Sequence, residues 1–168
     1  YDGDQRVASY RERNLGGGLD VGIAINRDSE FRIGYQLEDF KLTRNIGAVE
    51  FPNVGGRQGF TQLRYLIDRT DDRSVPRQGY RVESSFRYFD ANPLASGGFP
   101  VAELKTSFFH RLNQPSSIFL TASGGTTFSY HDVGVPPFSL GGPMRLSAYG
   151  TNTFLTNQYF LFQAGYIH

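Results

Sequence analysis

Long runs of period-two alternation constrain this chain more than any other feature, because one segment after another places apolar residues on one side and polar residues on the other. In Gly79 to Asp90, Tyr80, Val82, Ser84, Phe86 and Tyr88 oppose Arg81, Glu83, Ser85 and Arg87. In Gly59 to Asp68, Thr61, Leu63, Tyr65 and Ile67 oppose Gln62, Arg64 and Asp68. From Pro100 to Leu112, Ala102, Leu104, Thr106 and Phe108 oppose Glu103, Lys105, Ser107 and Arg111, with Phe109 on the polar side and His110 on the apolar side. Gly17 to Asn26, Glu30 to Thr43, Ser117 to Tyr130 and Asn157 to His168 read the same way, and Gln5 to Arg13 reads as a weaker eighth strand. No segment has a convincing helical period.

Alternation fits both a soluble sandwich, which buries its apolar face against a second sheet, and a membrane barrel, which turns that face to lipid. Strand length separates the two. These segments run well past the roughly 5–6 residues usual in globular sheets and suit the roughly 9–11 needed for a tilted crossing of a bilayer. The reading is an all-β, antiparallel transmembrane β-barrel, with residues 1–168 forming one barrel domain or part of one. The apolar runs are too short for a membrane-spanning helix.

The connections support this reading. Asn26 to Glu30 and Leu112 to Ser116 are tight, and Asp68 to Gly79 is of middle length. Arg44 to Arg57, Asp90 to Pro100 and Asp132 to Asn157 are long and rich in Gly, Pro and Asn, whereas the Asn14 to Gly16 link is short. If successive strands are antiparallel neighbours, short turns gather at one rim and long loops at the other, as in outer-membrane barrels. Opposite charges set an expected register: Arg87 facing Glu103, with paired numbers summing to about 190, and Arg64 facing Glu83, with a sum of about 147.

Composition removes several alternatives. The 17 basic and 16 acidic residues are interspersed, so a net charge of +1 gives no nucleic-acid footprint. The absence of Cys excludes disulfide frameworks, thiolate zinc sites and cysteine nucleophiles. The chain begins at Tyr1 without a visible signal peptide, which reads as a mature or excised fragment.

One stretch breaks the strand pattern. Pro136 to Gly150 is too rich in Gly and Pro for a strand, yet Phe138, Leu140, Met144, Leu146 and Tyr149 are too apolar for a solvated loop. It reads as a structured plug, within an inward-folded loop spanning 132–156, that satisfies its backbone groups against polar walls.

The run Phe138-Ser139-Leu140-Gly141-Gly142, followed by Arg145-Leu146-Ser147-Ala148-Tyr149, resembles the inward loop of the outer-membrane surface-antigen barrels. That superfamily includes BamA, TamA, the two-partner secretion transporters and the barrels of patatin-like autotransporters. The loop core in the family is an aliphatic residue, Arg, Gly and an aromatic; here it reads Leu146, Ser147, Ala148 and Tyr149, with Arg145 two residues before the Arg position, most like the patatin-linked branch. Asp68, Asp71, Asp72, Pro76 and Gly79 resemble the family's Asp-rich, Pro-x-x-Gly turn. Gly18-Leu19-Asp20-Val21-Gly22 and Phe31-Arg32-Ile33-Gly34-Tyr35 give a third, weaker match.

The resemblance implies the middle portion of a sixteen-strand barrel in the bacterial outer membrane. The ending Tyr166-Ile167-His168 lacks the terminal aromatic of a complete barrel, which leaves a portion of a longer barrel or an eight-strand variant that closes or pairs with a second copy. The implied role is to anchor, display or translocate a fused passenger domain. The alternatives are a BamA/TamA-type assembly factor and a small β-barrel module that binds a ligand or acts as an adhesin. The implied partners are outer-membrane lipid, a fused or translocated polypeptide and a second copy of the chain, with no nucleic acid.

Arg64, Glu83, Arg87, Glu103, Lys105 and Arg111 read as a solvated lumenal lining, with selection of a translocating segment as the sharper alternative. Arg145 reads as a loop anchor to Glu83 or Glu103, against an exposed loop arginine. Gly141 and Gly142 supply backbone conformations closed to other residues. Asp68, Asp71 and Asp72 lack the regular spacing of a calcium loop and read as caps of a turn. No metal, cofactor or catalytic residue is implied: the three His are scattered, and Thr121-Ala122-Ser123-Gly124-Gly125 lacks the first Gly of a nucleophile elbow.

Overall fold

The computed structural model describes residues 9–46, 54–93, 95–128, 138–141 and 154–168, and all of its regular elements are strands. They are β1 (Ser9–Asn26), β2 (Ser29–Ile46), β3 (Val54–Thr70), β4 (Gly79–Ala91), β5 (Phe99–Arg111), β6 (Ser117–Thr126), β7 (Phe138–Leu140), β8 (Phe154–Thr156) and β9 (Gln158–Ile167). Their sequences are rich in β-branched and aromatic residues, which suit a pleated surface packed on one side. Seven of them form one antiparallel sheet in the order β1-β2-β3-β4-β5-β6-β9, and β7 pairs with β8 in a small sheet of two strands.

This meander puts the β1–β2, β3–β4 and β5–β6 turns at one rim and the β2–β3, β4–β5 and β6–β9 connections at the other. Among the described residues the sheet is open rather than closed into a barrel, with β1 and β9 as its edges. It curls about its polar face, so that Asp28 and Arg32 of the first hairpin and Tyr159 and Gln163 of β9 line the same hollow of about 780 Å³.

Several expectations need correction. Asn14 to Gly16 is not a link between strands, because β1 runs unbroken through it against Phe40 to Glu38 of β2. The glycine run there answers a close approach: a Cβ on Gly18 would stand 2.6 Å from the Tyr35 carbonyl oxygen. The second and third strands also extend further into the expected Arg44 to Arg57 loop, to Ile46 and from Val54, while the sixth ends at Thr126 rather than Tyr130.

The paired numbers sum to 188 between β4 and β5 and to 149 between β3 and β4, so Arg87 faces Val101 and Arg64 faces Ser85. Each register is displaced by two from the expected one. A displacement of two keeps every side chain on its face, so the four charged residues still share one side. Arg87 then reaches Glu103 diagonally, at 3.6 Å.

Register carries the two faces across the whole sheet. The apolar face holds Leu15, Leu19, Val21, Ile23 and Ile25 of β1, Ile33, Tyr35 and Leu37 of β2, Phe86 and Tyr88 of β4, Leu104 and Phe108 of β5, Ile118 and Leu120 of β6, and Phe160, Phe162 and Tyr166 of β9. All of them are exposed, from 36% for Phe86 to 84% for Leu19. Among the described residues the buried apolar cluster, Phe60, Phe89, Phe99, Val101 and Phe138, lies on the opposite, polar face near the long-loop rim.

Candidate functional site

The polar face is a network of charges built by alternation. Asp20 of β1 accepts from Arg64 of β3 across β2 and lies 3.7 Å from Arg32, which also pairs with Glu30. Glu103 of β5 takes Arg87 on one oxygen and the Tyr159 hydroxyl, at 3.1 Å, on the other, joining β4, β5 and β9. Glu83 stands directly opposite Lys105. Arg64, Glu83, Glu103 and Lys105 line the hollow with Arg32, Asp68 and Arg81. Arg87 lies nearer the aromatic cluster, its guanidinium 5.8 Å above the Phe89 ring.

Arg111 shares the face but works at the short-turn rim. Its Nη2 donates to Asp71 Oδ2 at 2.6 Å, tying the end of β5 to the β3–β4 turn. In that turn Asp71 Oδ1 accepts from the backbone of Arg77 at 2.9 Å and Gln78 at 3.0 Å, and Asp72 Oδ1 accepts from Ser74 at 2.7 Å. Asp68 Oδ2 takes both Nε and Nη2 of Arg81, at 3.1 and 2.5 Å, while its Oδ1 holds Thr70.

The backbone bonds from Arg77 and Gln78, with a lesser contribution from Arg111, hold the Asp71 carboxyl below its ordinary value against the opposing effect of desolvation. These carboxylates are spent on turn amides and arginines rather than converging on a cation, and among the described residues no acidic or histidine cluster could hold a metal. Pro76 lies in the same turn. Gly79 closes it at φ 111°, where a Cβ would also collide with the Arg69 carbonyl.

Of the expected plug loop, Phe138 and Gly141 are described. Gly142, Arg145, Leu146, Ser147, Ala148 and Tyr149 lie outside the described residues, as does the expected anchoring by Arg145. Phe138 is 2% exposed and meets Tyr159 edge-on with ring centroids 5.2 Å apart. Its seat exists because position 125 is glycine: a Cβ there would stand 2.8 Å from the Phe138 ring. Since Gly125 and Tyr159 are cross-strand partners on the polar face, β7 is folded onto that face. Gly141 follows at φ 121°, a conformation that favours glycine.

No known family, curated protein or solved structure matches this chain.

The alternation also carries information beyond the charged lining. Phe89, Phe99 and Val101 fall on the polar parity of β4 and β5, out of phase with the apolar stripe, and these residues build the core under Phe138. Asp20, Arg32 and Arg81 are equally part of the network; their parity matches the lining, but their partners sit one or two strands away and needed the register to be found.

Proposed function

We propose that this chain is the wall of a bacterial outer-membrane β-barrel that anchors, displays or translocates a fused polypeptide domain, with the segment around Phe138 packed into the lumen. The observation that carries the reading is the apolar face, which has no protein layer over it among the described residues, opposite a charged face. At on the order of 100 Å² per half-exposed large side chain, that face far exceeds the roughly 300–600 Å² of the largest apolar patch on a soluble monomer. A lipid bilayer is the solvent that makes such a face favourable.

The dimensions agree. On β4 the apolar residues run from Tyr80 to Tyr88, and eight steps of about 3.3 Å tilted by about 40° rise roughly 20 Å, close to the roughly 25 Å apolar band of such barrels. Aromatics lie toward both ends of the band: Tyr80, Phe108 and Tyr166 on the short-turn side, Tyr35 and Tyr88 on the long-loop side. Strand edges cannot stay unpaired in hydrocarbon, so β1 and β9 are read as continuing into further strands or a second copy that closes the barrel. The likeness of the loop and turn motifs to the patatin-linked surface-antigen barrels supports the anchoring role. No bond chemistry is assigned to the chain.

The cysteine-free sequence makes the test direct. Single cysteines at Val21, Ile33 and Phe86 on the apolar face, and at Arg64, Glu83 and Lys105 on the polar face, are introduced into the protein in isolated outer membranes. The apolar set resists a charged maleimide until the protein is unfolded in urea, while the polar set reacts with the charged reagent in the folded protein. Equal reaction of both sets with the charged reagent, or recovery of the protein in the aqueous fraction, overturns the reading.

A further inference from the structure

We infer that the outward face carries a binding site for the phosphate of an anionic lipid at the long-loop rim, formed by Arg13, Lys41 and Arg57; this rests on the barrel reading above. Arg13 of β1 and Lys41 of β2 are directly opposed, and Arg57 of β3 faces Asp39 on the adjacent row of the same face. All three cations are exposed.

Directly opposed residues have Cα atoms roughly 4.5–5.5 Å apart, and like charges held there repel. The diagonal to Arg57 is roughly 7–8 Å, within reach of long side chains. Among the described residues none of the three makes an ion pair. Three cations stand against two carboxylates on this end of the face, Asp39 and Asp90, and Asp90 is already held by the Tyr35 hydroxyl at 2.8 Å; a surplus of one positive charge is left, and an anion between Arg13 and Lys41 turns their repulsion into attraction.

The position of the cluster specifies the anion. It stands at the long-loop end of the apolar band: Leu15 faces Asp39, and Leu37 lies one row further in. A phosphate held there has its acyl chains directly on Leu15, Leu19, Leu37 and Tyr35, which a free phosphate lacks. At the opposite rim the outward Arg69 is already paired with Asp28 at 3.4 Å and bonded to the Tyr80 hydroxyl at 3.2 Å, so it serves as the control cation.

The test uses the full chain inserted into vesicles of phosphatidylcholine, with insertion scored first and phosphatidylglycerol then titrated in. Wild type takes up phosphatidylglycerol preferentially. The Arg13→Gln/Lys41→Gln/Arg57→Gln variant loses about a hundredfold in affinity, at roughly fivefold per cation, and Lys41→Gln alone loses about fivefold. Arg69→Gln binds as wild type does, and water-soluble glycerol phosphate binds far more weakly than the lipid. Undiminished lipid binding by the triple and single variants, or glycerol phosphate binding as tightly as the lipid, overturns the site. Failure of wild type to insert into phosphatidylcholine at all overturns the barrel reading itself and is seen before any anionic lipid is added.

Discussion

Replacing Ile33 with Arg separates a lipid-facing surface from a water-facing one by magnitude. Ile33 is 48% exposed and directly faces Leu63. On β3, Leu63 lies midway between the outward charges Arg57 and Arg69, six residues from each. Six steps of about 3.3 Å make about 20 Å along the strand, or about 15 Å along the membrane normal at a tilt of about 40°. That is half the roughly 30 Å hydrocarbon core, so the proposed barrel puts Ile33 at the midplane. An arginine at the midplane of a barrel's lipid face costs about 2–4 kcal/mol, and one near the interface about 0–1 kcal/mol. On a wetted surface the same change stays within about 0.5 kcal/mol. The assay is reversible urea unfolding in phosphatidylcholine vesicles, followed by the shift of the folded band on cold gels, with Leu37→Arg as the control near the long-loop rim. Ile33→Arg is expected to lose at least about 1 kcal/mol more than Leu37→Arg. Equal losses for the two variants would refute the argument.

Other expectations follow from the two rims and the loop seat. Gly79→Ala places a Cβ at φ 111° and against the Arg69 carbonyl, costing about 1–3 kcal/mol in the same unfolding assay, whereas a neighbouring Gln78→Ala costs less. Asp71 has its folded pKa depressed, so its contribution is complete above the unfolded value of about 3.9 and is lost as pH falls through the lower folded value. Asp71→Asn should therefore lower the urea midpoint at neutral pH and flatten the acid side of the stability profile; an unchanged acid limb would remove Asp71 from the account. Phe138→Ala should cost about 3 kcal/mol and speed proteolysis of the 132–156 loop, and Gly125→Val, which fills the seat, should speed the same cleavage.

Face assignment was legible in the sequence because a period of two tolerates register error in steps of two. Arg64, Glu83, Arg87, Glu103, Lys105 and Arg111 share one side although the expected pairings of Arg64 and Arg87 were each displaced. Pairing itself was less legible, because a long side chain reaches a diagonal partner as readily as a direct one. Arg87 finds Glu103 across the diagonal, and Arg64 passes over β2 to Asp20. Strand ends were least legible at Gly16 to Gly18, where turn-forming residues sit inside a strand; at Gly16 and Gly18 the neighbouring β2 backbone approaches too closely for a side chain. Closure was not legible at all: edge strands and interior strands share one alternation, and only the pairing of β1 with β2 and of β9 with β6 reveals where the sheet stops among the described residues.

The polar face holds its two ends by different means, and the difference bears on how a loop can be kept inside a barrel. At the short-turn rim, carboxylates capture turn amides and arginines through Asp68, Asp71 and Asp72. Those bonds are directional, and the pairs exposed to water contribute at most about 1 kcal/mol each. Near the long-loop rim, Phe60, Phe89 and Phe99 stack in series, with successive ring centroids 4.9 and 4.8 Å apart, and Phe138 joins their cluster. Apolar contact is non-directional and insensitive to the ions that fill a wet lumen, so it can hold a loop segment whose own sequence offers little regular hydrogen bonding. Glu103 lies between the two regimes, already engaged by Arg87 and Tyr159. An incoming loop arginine would have to compete for that carboxylate, whereas Phe138 meets an aromatic seat formed by residues that share the lining's face.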